Sequence, residues 1–444
     1  MNNFITNHHI AVVAPSAYVL GGVQVWLDYL ITGLESKGWN VTFVLTEGKY
    51  HDTKQYLEKH PFRSFYCVKN QTGSQEGRIC ALASAFKKLN PDLIVNVNIV
   101  DTYLAVERIR SQGFVTSPKV VMTLHGAQAD FLDDINRFRT IIDAIVVTNK
   151  LLTQLIKNFC VFETERLFYA PYGVDTVKPD IGQTSQNVLR LAYVGRFEEQ
   201  QKKISDIPLI LTELEKYTNH YKLVLAGSGP DEEILRSALA IFGDRVEFKG
   251  VLSQEELNTY IYQSSTALLL TSTWETGPIV AWEAMANGLV LVTSQYIGSG
   301  IEGSLHNEKN CLTFPIGDIK AAATAILRLQ DPELKFNLSQ AGRELVCQRY
   351  SRANSIQMWE EAIDKIMKLP PKQLPKTVQK FPPSGKLDRL LGNRLAETVR
   401  KFLGIRFEHQ SAGGEWPHSY GKNANEEEFI KHLQKIENTL KQHE

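Results

Sequence analysis

From Ile10 the chain alternates short apolar runs with stretches whose apolar residues recur at helical spacing. Ile10-Ala11-Val12-Val13 leads through a glycine turn into Trp26, Leu27, Leu30, Ile31 and Leu34, and Val41-Thr42-Phe43-Val44-Leu45 follows. Near-continuous apolar runs suit strands covered on both faces, and the helical period between them suits amphipathic helices, so the grammar is β-α-β. It continues through Leu93 to Val97, Val120 to Leu124 and Ala144 to Val147. Around Asp180 to Gln186 the chain turns polar, and the plan restarts with Leu189 to Gly195, Leu223 to Ala226, Val246 to Phe248, Ala267 to Leu270 and Leu289 to Val292.

This pattern predicts an α/β protein with two Rossmann-like, doubly wound parallel-sheet domains, residues 1–185 and 186–369. Two such domains facing one another would leave a cleft between their strand ends, where sheets of this kind bind ligands. Helical patterns follow at 318–329, 331–347 and 351–369, and prolines then mark a linker at 370–385. The remainder, 386–444, reads as a helical tail. In it Leu387, Leu390, Leu391, Leu395, Val399 and Phe402 recur at helical spacing among Lys386, Arg389, Arg394, Arg400, Lys401 and Arg406, a basic amphipathic helix. Two readings of that helix stand side by side: packing on the body with its basic residues solvated, or docking to anionic lipid. A last helix at 425–441 would gather Phe429, Leu433, Ile436 and Leu440 on one face.

Length and composition agree with two soluble domains, since 444 residues exceed one ordinary core and 43% are hydrophobic. Forty-nine basic residues balance forty-nine acidic ones, which removes any global electrostatic case for nucleic acid. Five scattered cysteines form no metal knuckle or redox pair, and the start of the chain lacks the basic flank and apolar core of a signal peptide. A cytoplasmic location is expected, at the inner face of the membrane if the tail docks there.

The stretch richest in chemistry runs from Ser272 to Gly288. Glu275 precedes the turn Gly277-Pro278 and Glu283 follows it on a helix that Pro278 would open at its first position and Gly288 would close. At about 1.5 Å rise per residue the two Cα atoms would stand roughly 10 Å apart, able to reach both ends of one ligand such as a sugar nucleotide. Glu283 could accept from both hydroxyls of a ribose, leaving Glu275 for the transferred group. Arg196 directly follows a strand and Gly195, and with Lys202 or Lys203 it offers a fork and a mobile charge for a diphosphate. Gly21-Gly22 opens the first helix, where backbone N–H groups can approach a phosphate. His125 ends a strand before Gly126, placed to act as an acid or base or to hydrogen-bond a substrate hydroxyl.

Taken in order, Gly21-Gly22, His125-Gly126, Gly195-Arg196 with Lys202, Ala226 to Pro230, Phe248-Lys249-Gly250 and Glu275 to Glu283 before Ala284 to Gly288 resemble the retaining GT-B glycosyltransferases of family 4, the group 1 glycosyl transferases, over residues 9 to 368. The resemblance implies a GT-B fold and transfer of a hexose-type sugar from a nucleotide-diphosphate donor to a growing glycan or a lipid-linked acceptor of surface-polysaccharide type. The donor would be held mainly by the C-terminal domain and the acceptor by the N-terminal one. Arg196 and Lys202 would hold the diphosphate with Gly22 near it, Glu283 the ribose, Glu275 the sugar hydroxyls and His125 the sugar. Retention by front-face attack is implied, with neither a metal nor a cofactor beyond the donor itself. The chain departs from the family's pattern at Gly277-Pro278, at Tyr172, at Gln24 and in the six-residue step from Arg196 to Lys202. Because fold does not fix reaction, a nucleotide-sugar epimerase and an inactive binding or scaffold partner are the other readings.

Overall fold

The computed structural model describes residues 8–15, 22–48, 53–60, 62–113, 117–176, 188–372, 383, 385–407, 416–421 and 426–441. Gly21, the polar connector at 180–186 and most of the proline-rich linker lie outside them. The chain forms two compact units: Met1–Thr148, Leu152–Ala170 and Ile356–Phe429 make the first, and Asn149–Leu151, Pro171–Ser355 and Ile430–Glu444 the second.

The first unit is built on seven strands, β1 (His9–Pro15), β2 (Asn40–Glu47), β3 (Phe65–Lys69), β4 (Leu93–Asn96), β5 (Lys119–Leu124), β6 (Ala144–Val147) and β7 (Leu167–Tyr169), in the order β3-β2-β1-β4-β5-β6-β7. The second has β8 (Leu189–Val194), β9 (Tyr221–Ala226), β10 (Val246–Gly250), β11 (Ala267–Leu270), β12 (Val290–Ser294) and β13 (Leu312–Phe314), in the order β10-β9-β8-β11-β12-β13. Neighbouring strands pair in parallel in both sheets. Each strand order reverses once, between β1 and β4 and between β8 and β11. Sheets of this type receive ligands beyond the carboxyl ends of their strands at that reversal.

Alternation explains why the strands read as unbroken apolar runs. Leu191 and Tyr193 of β8 enter one core with Phe197, Ile207 and Leu225, while Ala192 and Val194 enter another with Leu268, Trp282 and Met285. Successive side chains of a strand point to opposite faces, and here both faces are covered. The strands β3, β7 and β13 escape the sequence pattern because they are short or, like β3, half exposed at an edge.

The grouping differs from the sequential division at residues 185, 369 and 385. The helix Arg352–Lys368 starts in the second unit and continues in the first, where Trp359 lies 5.3 Å from Trp26 between ring centroids. A Cβ on Gly33 would stand 2.3 Å from Ile356 Cδ1, so that glycine admits the helix. Lys119 Nζ donates to the carbonyls of Ile366, Met367 and Leu369 at 2.8, 2.7 and 2.5 Å, a cation closing the orphan end of the same helix. Further on, Trp416 Nε1 donates to Glu47 O at 2.9 Å, and Tyr420 donates to the buried Asp101. The described residues of the tail up to Phe429 thus group with the first unit.

The segment 386–406 is helical as expected and differs from a single amphipathic helix in its construction. It is two helices, Lys386–Leu391 and Asn393–Leu403, separated at Gly392, whose φ is +76°. Buried on them are Asp388, Ala396, Glu397 and Arg400, while Leu390, Leu391, Leu395 and Phe402 face outward. Arg400 makes a two-pronged pair with Asp388 at 2.7 and 2.5 Å, and Glu397 accepts from the hydroxyls of Thr72 and Ser74 at 2.8 and 2.5 Å. A charged cluster holds the inner face, and charge-assisted hydrogen bonds make that tolerable. In the last helix, Glu426–Lys441, Phe429, Leu433 and Ile436 are buried as expected, and the side chain of Leu440 lies outside the described residues.

Candidate functional site

In the second unit, two loops leave the sheet at its reversal, one after β8 and one after β11. The first is shaped by close backbone packing. Gly195 N donates to Ala226 O at 3.0 Å and Phe197 N to Ser228 O at 2.9 Å. A Cβ on Gly227 would lie 1.9 Å from Gly195 O, and one on Gly229 would lie 2.2 Å from Phe197 O. Gly227-Ser228-Gly229 therefore serves to bring the ends of β8 and β9 together, and a side chain at either glycine would force them apart.

Beyond that contact a single helical turn, Glu199–Lys202, is capped by Glu198 and ended by Lys203 at φ +49°. It is laced to the loop after β11. Thr273 N donates to Gln201 O at 2.7 Å, Thr271 Oγ1 to Lys202 O at 2.7 Å, and Gln201 Nε2 to Trp274 O at 3.1 Å. The consequence is a contact between side chains distant in sequence: Lys202 Nζ stands 2.6 Å from Glu275 Oε1. Ser272 Oγ donates to the same oxygen at 2.6 Å. Glu275 is buried, Lys202 largely so, and each neutralises the other beside the sheet's reversal.

Lys203 is engaged elsewhere, pairing with Asp206 at 2.6 Å. The left-handed turn at Lys203 sends the two lysines to different partners, so Lys202 is the one beside Glu275. Arg196 remains 65% exposed, with Nη2 at 2.9 Å from Glu198 and 3.3 Å from Gln201 Oε1. Its guanidinium rests on the same short helix that carries Lys202.

Glu283 follows on the helix Ile279–Ala286, which Pro278 precedes as the capping residue rather than opening as its first member. Gly277 at φ +95° makes the turn before it, and Gly288 at φ +84° comes directly after the capping Asn287. Glu283 is buried, and Tyr262 Oη donates to its Oε2 at 2.7 Å. Burial pushes the carboxyl up to about 7, with the Tyr262 hydrogen bond opposing. Tyr262 closes a π-helical turn, Leu257–Tyr262, a geometry often found where a side chain is aimed at a site. Nothing in the sequence marks Tyr262, because an aromatic residue at the end of a helix reads as ordinary core.

The first unit places the two remaining candidates separately. Gly22 begins the helix Gly22–Ser36, on which Gln24 reaches the His60 imidazole through its amide. His125 is buried with its ring 4.5 Å from that of Trp26, and Nε2 lies 2.9 Å from Thr123 Oγ1. Thr123 gives its one proton to Asn96 O at 3.0 Å, so Nε2 carries the hydrogen in this contact and Nδ1 is the acceptor. Burial lowers the imidazole to about 3, which keeps it neutral at physiological pH.

Residues 189–331 match the family model described as glycosyl transferases group 1. No curated protein matches the sequence. Among solved structures, the apo form of the lipopolysaccharide outer core galactosyltransferase WaaB superposes with a TM-score of 0.63 at 18% identity, covering 80% of this chain and 99% of that one. Sucrose-phosphate synthase from Thermosynechococcus elongatus gives 0.64 at 20% identity, covering 81% of this chain and 99% of its own. HepE from Anabaena, in complex with UDP and glucose, gives 0.64 at 16% identity, covering 81% of this chain and 100% of its own. The likeness is one of fold: two parallel-sheet Rossmann-like units of the GT-B type, with an added helical C-terminal region.

Proposed function

We propose that the chain is a glycosyltransferase that moves a hexose-type sugar from a nucleoside-diphosphate donor to a glycan or glycolipid acceptor, with retention of anomeric configuration. The reading is carried by the buried Lys202–Glu275 contact of 2.6 Å at the reversal of a sheet lying within the stretch that matches the group 1 model. Arg196 and Lys202 are assigned the diphosphate, as a planar fork and a point charge. Glu283 is assigned the ribose hydroxyls, which donate best to its ionised form. Glu275, already oriented by Ser272 and Lys202, is assigned hydroxyls of the donor sugar. His125, buried and neutral, is assigned to the donor sugar, and Gly22 to the vicinity of the phosphates.

In the proposed reaction the bond from the anomeric carbon to the diphosphate oxygen breaks and its electron pair stays on the leaving diphosphate. Negative charge grows there, so cations already in place stabilise the transition state more than the ground state. The acceptor hydroxyl attacks from the face the diphosphate leaves, and a diphosphate oxygen takes its proton. No protein carboxylate need act as base in this scheme, and with two side-chain cations the reading requires neither a divalent ion nor another cofactor.

The test is a thermal-shift panel of uridine, guanosine and adenosine diphosphate sugars, followed by donor turnover with and without acceptor. A UDP-hexose is the first donor to try, since HepE was solved with UDP and glucose. One donor should raise the melting temperature and release nucleoside diphosphate. Epimerisation of a donor without acceptor would replace the transferase reading with an isomerase one. Stabilisation without turnover would point to a binding protein.

A further inference from the structure

The helices Lys386–Leu391 and Asn393–Leu403 present an outward face of one charge sign. Asp388 and Glu397 are the only acidic residues between 386 and 407, and both are buried in the cluster with Arg400, Thr72 and Ser74. Outward stand Leu390, Leu395 and Phe402, which are 80%, 61% and 87% exposed, together with Leu403 and Ile405. Around them Lys386, Arg389, Arg394, Lys401 and Arg406 are all exposed. A soluble surface ordinarily mixes both signs and avoids clustered apolar side chains. Beside this face lies a groove of about 390 Å³ whose lining carries both signs, Lys87, Arg394 and Lys401 with Glu397, and Arg108 paired with Glu76 at 2.8 Å.

The geometry points to this face as a docking surface for an anionic lipid bilayer. Leu390, Leu395, Phe402, Leu403 and Ile405 enter the boundary between headgroups and acyl chains, and the surrounding cations meet lipid phosphates. A bilayer supplies both an apolar layer and a plane of negative charge, the complement of what the helices expose. The face is formed before contact: Phe407 N donates to Thr72 O at 2.8 Å, and Glu397 holds the helix to Ser74, the cap of the helix Gln75–Leu89. Ordering it on binding therefore costs little. Among the described residues no helix is long and apolar enough to cross a membrane, so docking is peripheral.

The inference is independent of the donor site, since none of these residues is among those assigned to the donor. Its test uses the full chain and sedimentation with vesicles of phosphatidylglycerol in phosphatidylcholine, against vesicles of phosphatidylcholine alone. Binding is expected to the anionic vesicles, weakened by salt. The double substitution Arg389→Gln/Arg394→Gln should lower the partition coefficient by roughly 30-fold. Leu395→Ser/Phe402→Ser should also release the protein, with an unchanged thermal midpoint because both side chains are exposed. Failure to bind anionic vesicles, equal binding to neutral ones, or binding indifferent to both variants would overturn it. So would a dimer, seen by analytical ultracentrifugation, that Leu395→Ser/Phe402→Ser dissociates while vesicles are ignored.

Discussion

Replacing Glu283 by glutamine should change how stability depends on pH, and the structure sets both sign and size. Burial raises the Glu283 carboxyl from 4.5 to about 7 in the folded protein. Below pH 4.5 folded and unfolded states both hold the proton. Between 4.5 and 7 only the unfolded state has released it, so the folded state binds more protons and stability falls by about 1.4 kcal/mol per pH unit. Above 7 the contribution is flat, leaving the native protein about 3 kcal/mol less stable than at pH 4.5 from this group alone. Glu283→Gln removes the slope: it should match the native chain near pH 5 and gain by roughly 3 kcal/mol relative to it at pH 8. Hydrogen-exchange protection of the Ile279–Ala286 amides, corrected for intrinsic rates, reads the local unfolding free energy at each pH. Parallel curves for the two proteins from pH 5 to 8 would refute the account of Glu283.

Lys202→Met breaks a buried pair and leaves Glu275 with Ser272 alone; turnover should fall by about 100-fold or more and stability by roughly 3 kcal/mol, read by steady-state kinetics and urea unfolding. Gly227→Ala places a Cβ 1.9 Å from Gly195 O at φ +138°, so the melting temperature should drop by an amount corresponding to roughly 3 kcal/mol or more. His125, lowered to about 3, should show imidazole resonances of the neutral form from pH 5 to 8, and a titration inside that range would contradict its buried placement.

The sheets were legible because a strand covered on both faces must be apolar at nearly every position, as β6, β8 and β11 are. The restart of the pattern at Leu189 placed the second sheet correctly, and Gly195, Glu275 and Glu283 could be put near strand ends from it. Partnerships were not legible. That Lys202 rather than Lys203 meets Glu275 depends on the left-handed turn at Lys203, and that Tyr262 meets Glu283 depends on a π-helical turn. For the segment 386–406 helical periodicity identifies two faces but not which one is buried, so packing and docking both stay open in the sequence. Here Asp388 and Arg400 satisfy one another while Glu397 fits the hydroxyls of Thr72 and Ser74, so the charged face packs and the leucines face out.

Arg196 offers the cleanest test of the diphosphate assignment, since its side chain is 65% exposed and its loss should leave the fold intact. Calorimetric titration of the nucleoside diphosphate that the donor panel selects, into the native chain and into Arg196→Ala, measures that assignment without an acceptor. Loss of a charge-assisted contact should weaken the diphosphate by roughly 10- to 100-fold and leave the nucleoside alone unaffected. Equal affinity of the two proteins for the diphosphate would contradict the account.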